Sequence, residues 1–297
     1  MISSLFRGRF LAPLLLGIVC LTVQSPARGE WLLDADAGAL YDNNLTRAQE
    51  SADVRADGAA FLSASAASFL PFDGGDRLTV AADLRGEAYF RFHGLDVIAL
   101  GGSATYRHKF GVGLDVAWLL AAATVSYDGY QGDVRTGARY ALRAELGKRF
   151  TESFDGSFGG IYDRRYQRHD QPVVPGISGK PFELSGASAY ARAGYAFNEN
   201  LLVDARVSVR RGDVESTTRP NREIFAASSA IAPDPTFGPN FFAYRLRGTT
   251  EAATLTGSWA LNDRSSFNIG YSAERTRAYD GLEYRNWVAT ISLAYRY

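Results

Sequence analysis

The residues of this chain best suited to do chemistry are arginines, and they recur at alternate positions. Over residues 77–92, Arg77, Asp83, Arg85, Glu87 and Arg91 share one parity, and Leu78, Val80, Leu84, Phe90 and Phe92 share the other. Residues 134–149 repeat the pattern, with Arg135, Arg139, Arg143, Glu145 and Arg149 against Val134, Tyr140, Leu142 and Leu146. So do residues 201–210, where Asp204, Arg206 and Arg210 alternate with Leu201, Val203, Val207 and Val209. Later, Arg245, Arg247 and Glu251 are read onto the same polar face, with a parity change near Gly248 that predicts a bulge. Period two is the signature of a strand, so these charges project from one side of a sheet. Planar guanidinium forks match carboxylate and phosphate, so the expected chemistry is binding and guiding of anions rather than bond making. The opposing reading is that Asp83, Glu87, Glu145, Asp204 and Glu251 neutralise the arginines in a filled interior. The 29 Arg against 3 Lys are also what a biased genomic composition produces.

Catalytic constellations are scarce. The histidines are His93, His108 and His169, and the chain contains neither a G-x-S-x-G elbow nor H-E-x-x-H. Gly176 to Lys180 lacks the first glycine of a phosphate-binding loop. Asp34 and Asp36 would suit an Asp/His hydrolase with His169 and Asp170, but the topology read below puts the two pairs at opposite ends of the molecule. A loop serine with His93 or His169 is the remaining hydrolytic arrangement. No cofactor and no metal site is expected.

The elements that must position the arginines follow from the whole chain. It has 297 residues, with 32 basic and 32 acidic groups and 46% hydrophobic residues. Zero net charge argues against a nucleic-acid binder, and a mean hydropathy of -0.15 argues against a bundle of membrane helices. Neither value excludes a membrane β-barrel, whose apolar and polar positions average out. Arg7 and Arg9, the apolar run Phe10–Val23 and the small residues Ala27 and Gly29 predict a cleaved signal peptide over residues 1–29. The single cysteine, Cys20, lies within it, so thiol chemistry and disulfides are absent from the expected mature chain.

Residues 30–297 divide into strands at roughly 31–42, 54–70, 77–92, 95–108, 112–127, 134–149, 154–166, 182–197, 201–212, 241–260, 266–277 and 284–297. Short turns (71–76, 108–111, 150–153, 197–200, 261–266) alternate with longer connections (43–53, 128–133, 167–181, 213–240, 278–283), except for the tight His93–Gly94 turn. An even count with short turns at one end predicts an all-β, closed, antiparallel, up-and-down transmembrane barrel of about 12 strands. Phe150, Tyr195, Phe197, Trp259, Tyr295 and Tyr297 fall near the short-turn ends, where an aromatic girdle belongs. Outer loops are expected near 167–181 and 213–240. Four prolines in the second (Pro220, Pro233, Pro235, Pro239) argue against regular structure there.

The chain closes on Trp287, Ala289, Ile291, Leu293, Tyr295 and Tyr297 at alternate positions. A last strand ending on an aromatic resembles the C-terminal signature of Gram-negative outer-membrane β-barrel proteins. The resemblance implies an outer-membrane location and an assembly signal on Trp287, Ile291, Leu293, Tyr295 and Tyr297. It also implies, as partners, the barrel-assembly machinery, periplasmic chaperones, and membrane lipid with lipopolysaccharide. Residues 39–46 look like the opening of the barrel domain in surface lipoprotein assembly modifiers, although those proteins usually carry a helical-repeat domain for which this chain has no room. The expected function is a narrow passive pore for small, anionic solutes, lined by the arginines and carboxylates named above. Alternatives are an assembly or export component for surface lipoprotein or polysaccharide, a non-conducting structural or adhesive barrel, and an outer-membrane hydrolase.

Overall fold

The computed structural model describes residues 31–72, 75–279 and 281–297; the predicted signal peptide lies outside them. In these residues the period-two segments form β1 (Trp31–Asp42), β2 (Asp57–Pro71), β3 (Arg77–Tyr89), β4 (Val97–Lys109), β5 (Trp118–Tyr130), β6 (Gly137–Arg149), β7 (Phe154–Gln167), β8 (Ser185–Ala196) and β9 (Leu201–Thr218). A short helix α1 (Arg222–Ala227) and strand β10 (Ala230–Pro233) precede β11 (Phe242–Asn262), β12 (Ser265–Ala278) and β13 (Glu283–Arg296). Each wall strand pairs antiparallel with its neighbour, and β13 returns to β1 with Ala35 opposite Tyr295 and Leu40 opposite Thr290. Because β9 pairs directly with β11, twelve strands close the wall and β10 stands outside it. Closure leaves no open edge along the wall, as a bilayer requires of a sheet that spans it.

The outward face is a belt of exposed apolar side chains, including Leu62, Leu84, Leu100, Val125, Leu142, Phe158, Val207, Leu255 and Ile291. Such a continuous apolar surface on an isolated chain marks the area a partner phase must cover, and here it encircles the barrel. The expected girdle sits at its short-turn edge. Phe150 lies 5.5 Å from Phe154, Tyr195 lies 4.8 Å from Phe197, and Trp259, Tyr295 and Tyr297 are exposed. At the long-loop edge, Trp287 packs between Tyr41 (5.3 Å) and Tyr271 (6.0 Å). The remaining residues of the terminal pattern, Ile291 and Leu293, are also outward and exposed on β13.

Several boundaries differ from expectation. The strand expected at 112–127 starts at Trp118, making the 110–117 connection the longest at its end of the barrel. Val134 and Arg135 belong to a 3-10 turn before β6 rather than to the strand. The expected bulge at Gly248 is absent: the β9–β11 register runs unbroken from Phe242 opposite Thr218 to Trp259 opposite Leu201. The register shift of β11 lies instead between Ala260 and Asn262.

The largest correction concerns 213–240. Despite its prolines, the segment is structured: β9 continues to Thr218, Asn221 caps α1 by accepting from the amides of Glu223 and Ile224, and β10 pairs with β11. Pro233 is tolerated because it ends a four-residue strand at the margin of the sheet. This excursion bends over the long-loop mouth. The apolar clusters that bury side chains are built with it: Val214, Ile224, Ile231, Tyr244 and Leu246 with Leu282 and Tyr284; Phe237 and Phe241 with Phe92 and Leu95; and Ala232 and Ala243 with Val134 and Phe182. The core therefore sits in a folded cap above the barrel, not in the barrel itself.

Candidate functional site

Residues directly opposite across a ladder point to the same face, so register and exposure together assign the interior. Asp83, Arg85 and Glu87 on β3, Arg139, Arg143 and Glu145 on β6, and Asp204, Arg206 and Arg210 on β9 face the lumen as expected. Three expected lumen residues face outward. Arg245, Arg247 and Glu251 share the odd parity of Leu255 and Trp259, and Glu251 pairs with Arg277 at 3.1 Å on the exterior. Arg91 lies beyond the end of β3, exposed, with its guanidinium 5.0 Å from the Phe92 ring. Arg135 leaves the wall for the cap.

The lumen is laterally polarised. The inward faces of β4–β9 carry Arg107, Arg139, Arg143, Arg165, Arg192, Arg206 and Arg210 against Asp128, Glu145, Asp155, Asp163 and Asp204. The inward faces of β11–β2 carry Thr250, Thr254, Asn268 and Ser272, with the acids Glu274, Asp34, Asp36, Asp42 and Asp57 and one arginine, Arg296. Sequence reading missed Arg107, Arg165, Tyr190 and Arg192. On β8 the outward partners of Tyr190 and Arg192 are Ala187, Ala189, Ala191 and Ala193, which give almost no hydropathy contrast to reveal the alternation.

Arginine stands directly opposite arginine at three lumen positions: Arg77 and Arg107, Arg139 and Arg165, Arg192 and Arg206. Like charges in that relation repel, so each pair requires counter-groups. Arg192 takes Asp204 (2.5 Å) and Asp155 (3.1 Å), and Arg210 takes Asp163 (2.8 Å). Arg143 binds Glu145 and donates to the Tyr190 hydroxyl at 2.8 Å, and Tyr190 in turn donates to Glu145. Among the described residues, Arg206 and Arg107 have no carboxylate partner within 4 Å. Arg206 lies over the Tyr190 ring at 3.9 Å and Arg107 over Trp118 at 4.9 Å. Arg139 stands 3.5 Å from Asp128, and its side chain is 44% exposed to the lumen. The wall thus offers guanidinium groups that protein carboxylates do not fully satisfy.

Free space follows the β3 strip. A cavity of about 640 Å³ opens among Asp34, Asp36, Ser63, Asp83, Arg85 and, at the short-turn rim, Asn262 and Arg296. A second, of about 210 Å³, lies among Asp83, Arg85, Ser126, Asp128 and Arg139. Above them the cap is latched across the mouth. Arg135 binds Asp234 through two nitrogens, at 3.0 and 2.5 Å, and its guanidinium lies 4.5 Å from the Phe182 ring and 5.4 Å from that of Phe237. Asp234 is fully buried. Burial opposes the charge on Arg135, but the facing carboxylate outweighs it and holds the guanidinium above its ordinary pKa. Thr236 packs where a Cβ at Gly94 would come within 2.5 Å of its hydroxyl, so the rim must be bare at that point.

The histidines sit on the rims, each against one carboxylate: His93 with Asp96 (3.4 Å), His108 with Asp76 (2.7 Å) and His169 with Asp133 (3.3 Å). The structure does not bring His169 to Asp34 or Asp36, as the topology required.

No family model and no curated protein matches the chain in sequence. Solved structures match in fold. An outer-membrane channel from Pseudomonas putida F1 superposes with a TM-score of 0.50 at 9% identity, over 92% of this chain and 97% of that one. The NanC porin gives 0.48 at 9% identity, over 89% and 98%. The KdgM porin in complex with disordered oligogalacturonate gives 0.47 at 9% identity, over 88% and 98%. The closed barrel is thus a fold shared with a solved outer-membrane channel.

Proposed function

We propose that the chain is a passive outer-membrane channel for small anionic solutes, closed at its long-loop mouth in the state described. The observation that carries this reading is the set of arginines that stand opposite arginines on adjacent strands of the lumen wall: among the described residues, each pair leaves at least one guanidinium without a carboxylate within 4 Å, where a solute anion would relieve the like charge. The apolar belt supports a bilayer as the surrounding phase, and the polarised interior supports water and ions within. A twelve-stranded barrel lies between the filled eight-stranded and the wide sixteen-stranded forms, which suits a narrow passage. Insertion through the barrel-assembly machinery, guided by the outward face of β13, belongs to the same proposal.

The test is planar-bilayer conductance of the refolded chain under a salt gradient. Wild type is expected to show discrete steps and a reversal potential on the anion side. Arg206→Ala and Arg139→Ala, which remove guanidinium groups lacking a close carboxylate hydrogen bond, are expected to move that potential toward zero without abolishing the steps. A folded, inserted barrel that never conducts, even with its cap loosened, would overturn the reading.

A further inference from the structure

Outside the lumen, the odd-parity face of β11–β13 carries a second concentration of arginine. Arg275 and Arg285 stand directly opposite each other across the β12–β13 ladder, both outward. With Arg277 they converge on one carboxylate: Glu283 lies 2.7 Å from Arg275, 3.4 Å from Arg285 and 4.0 Å from Arg277. Glu251 takes Arg277 at 3.1 Å. Three guanidinium groups therefore share two carboxylates, and their side chains remain 40–72% exposed.

The position of the cluster restricts what can complete it. It sits one step beyond the stacked Tyr271 and Trp287, at the long-loop edge of the apolar belt. Charge on the lipid face is costly at mid-membrane and tolerated only near the interface, which puts these guanidinium groups at headgroup depth. Between them and the two rings, Ala253 and Ala273 leave a surface depression of about 590 Å³ that Arg275 and Arg285 overhang. A cationic roof over an aromatic and small-residue trough is complementary to an amphiphile with a phosphate head and an apolar body. By contrast, the outward side chains at the same edge of β3–β5 are Phe90, Ile98 and Tyr127.

We infer that this face binds a phosphate-bearing glycolipid of the outer leaflet, with Arg275 and Arg285 as the headgroup clamp and the Ala253–Ala273 trough receiving its apolar part. The inference rests on the membrane location proposed above. Phosphate fits because guanidinium forks bind its oxygens bidentately, and because an additional anion relieves the Arg275–Arg285 repulsion.

The test uses the refolded full-length barrel in phosphatidylcholine vesicles with or without bis-phosphorylated lipid A, extracted gently and weighed intact by native mass spectrometry. Wild type is expected to retain lipid A. The Arg275→Gln/Arg285→Gln double variant should retain about tenfold less, whereas Arg164→Gln, on the outward face of β7, should behave as wild type. Equal retention by wild type and double variant overturns the inference, as does equal loss in Arg164→Gln, which would mark diffuse charge attraction. Displacement of the lipid by excess inorganic phosphate alone would assign a free-anion site instead. Heat-modifiable mobility on gels reports insertion separately, so failure to enter vesicles at all would count against the membrane reading and not against the clamp.

Discussion

Removing the carboxylate of Asp234 should unlatch the cap while leaving the barrel closed. Asp234→Ala leaves the Arg135 guanidinium among Phe182, Phe237 and the Thr236 hydroxyl (3.3 Å), with no other carboxylate hydrogen-bonded to it. Breaking a buried ion pair from one side costs about 3–5 kcal/mol, because the remaining charge is left desolvated. That cost falls on the cap equilibrium and not on the wall, whose ladders do not include Asp234. At about 1.4 kcal/mol per tenfold, the open fraction of the cap should rise by about two to three and a half orders of magnitude. The amides that report it are Ile231, which donates to the Ser178 carbonyl at 2.8 Å, and Asp234, which donates to the Phe241 carbonyl at 2.8 Å. Hydrogen exchange at peptides covering 230–243 should accelerate correspondingly, while peptides from mid-β4 and mid-β6 stay protected. Replacing both partners, Arg135→Met with Asp234→Leu, removes the stranded charge and should restore most of the protection. Unchanged exchange across 230–243 in Asp234→Ala would refute the latch, and failure of the double variant to recover would show that the loss came from packing rather than from charge.

Other expectations follow from the belt and from the short-turn rim. Leu84, outward at the middle of β3 and 48% exposed, should tolerate Ala but not Arg. Leu84→Arg is expected to destabilise the bilayer-embedded barrel by about 2–4 kcal/mol in a urea titration from vesicles, and an unchanged midpoint would argue against lipid contact there. At the β2–β3 turn, Asp76 accepts from the Tyr106 hydroxyl at 2.5 Å and faces His108 at 2.7 Å. The Tyr106 hydrogen bond, then that of His108, hold its carboxyl below the ordinary carboxylate pKa. A depressed folded-state pKa stabilises above the unfolded value and is lost as pH falls through the folded one. Wild type should therefore exceed Asp76→Asn in thermal midpoint at neutral pH, and the two should converge in acid; a difference that persists in acid would place the contribution elsewhere.

The barrel was legible in the sequence because one rule governs most of it: where the outside is oily and the inside wet, hydropathy reports the face directly. Leu84 against Arg85 and Leu142 against Arg143 obey it, and both arginines lie in the lumen. The rule weakens on β8, where alanine faces outward and offers little contrast with Gly186 and Ser188. It weakens again on β5, where Trp118 turns inward over the bare Gly147, and a Cβ on that glycine would come within 2.2 Å of the ring.

On β11 the rule inverts, and the inversion carries a functional consequence. Below Gly248 the apolar residues Leu255, Trp259 and Leu261 are odd and outward; above it Phe242, Tyr244 and Leu246 are even and inward. If apolar always meant outward, the strand would need a bulge at Gly248, and Arg245, Arg247 and Glu251 would face the lumen. The register is continuous, so it is the interior that changes, from water and hydroxyls to a dry core with Tyr244 and Leu246 fully buried. A loop folded into a pore as a constriction would keep polar groups toward the passage. This one instead buries apolar side chains against Ile224, Ile231 and Tyr284 and is fastened at its far end by Arg135 and Asp234. Passage through the long-loop mouth therefore requires the cap to move as a unit, since a dry core offers no path for an ion between its side chains.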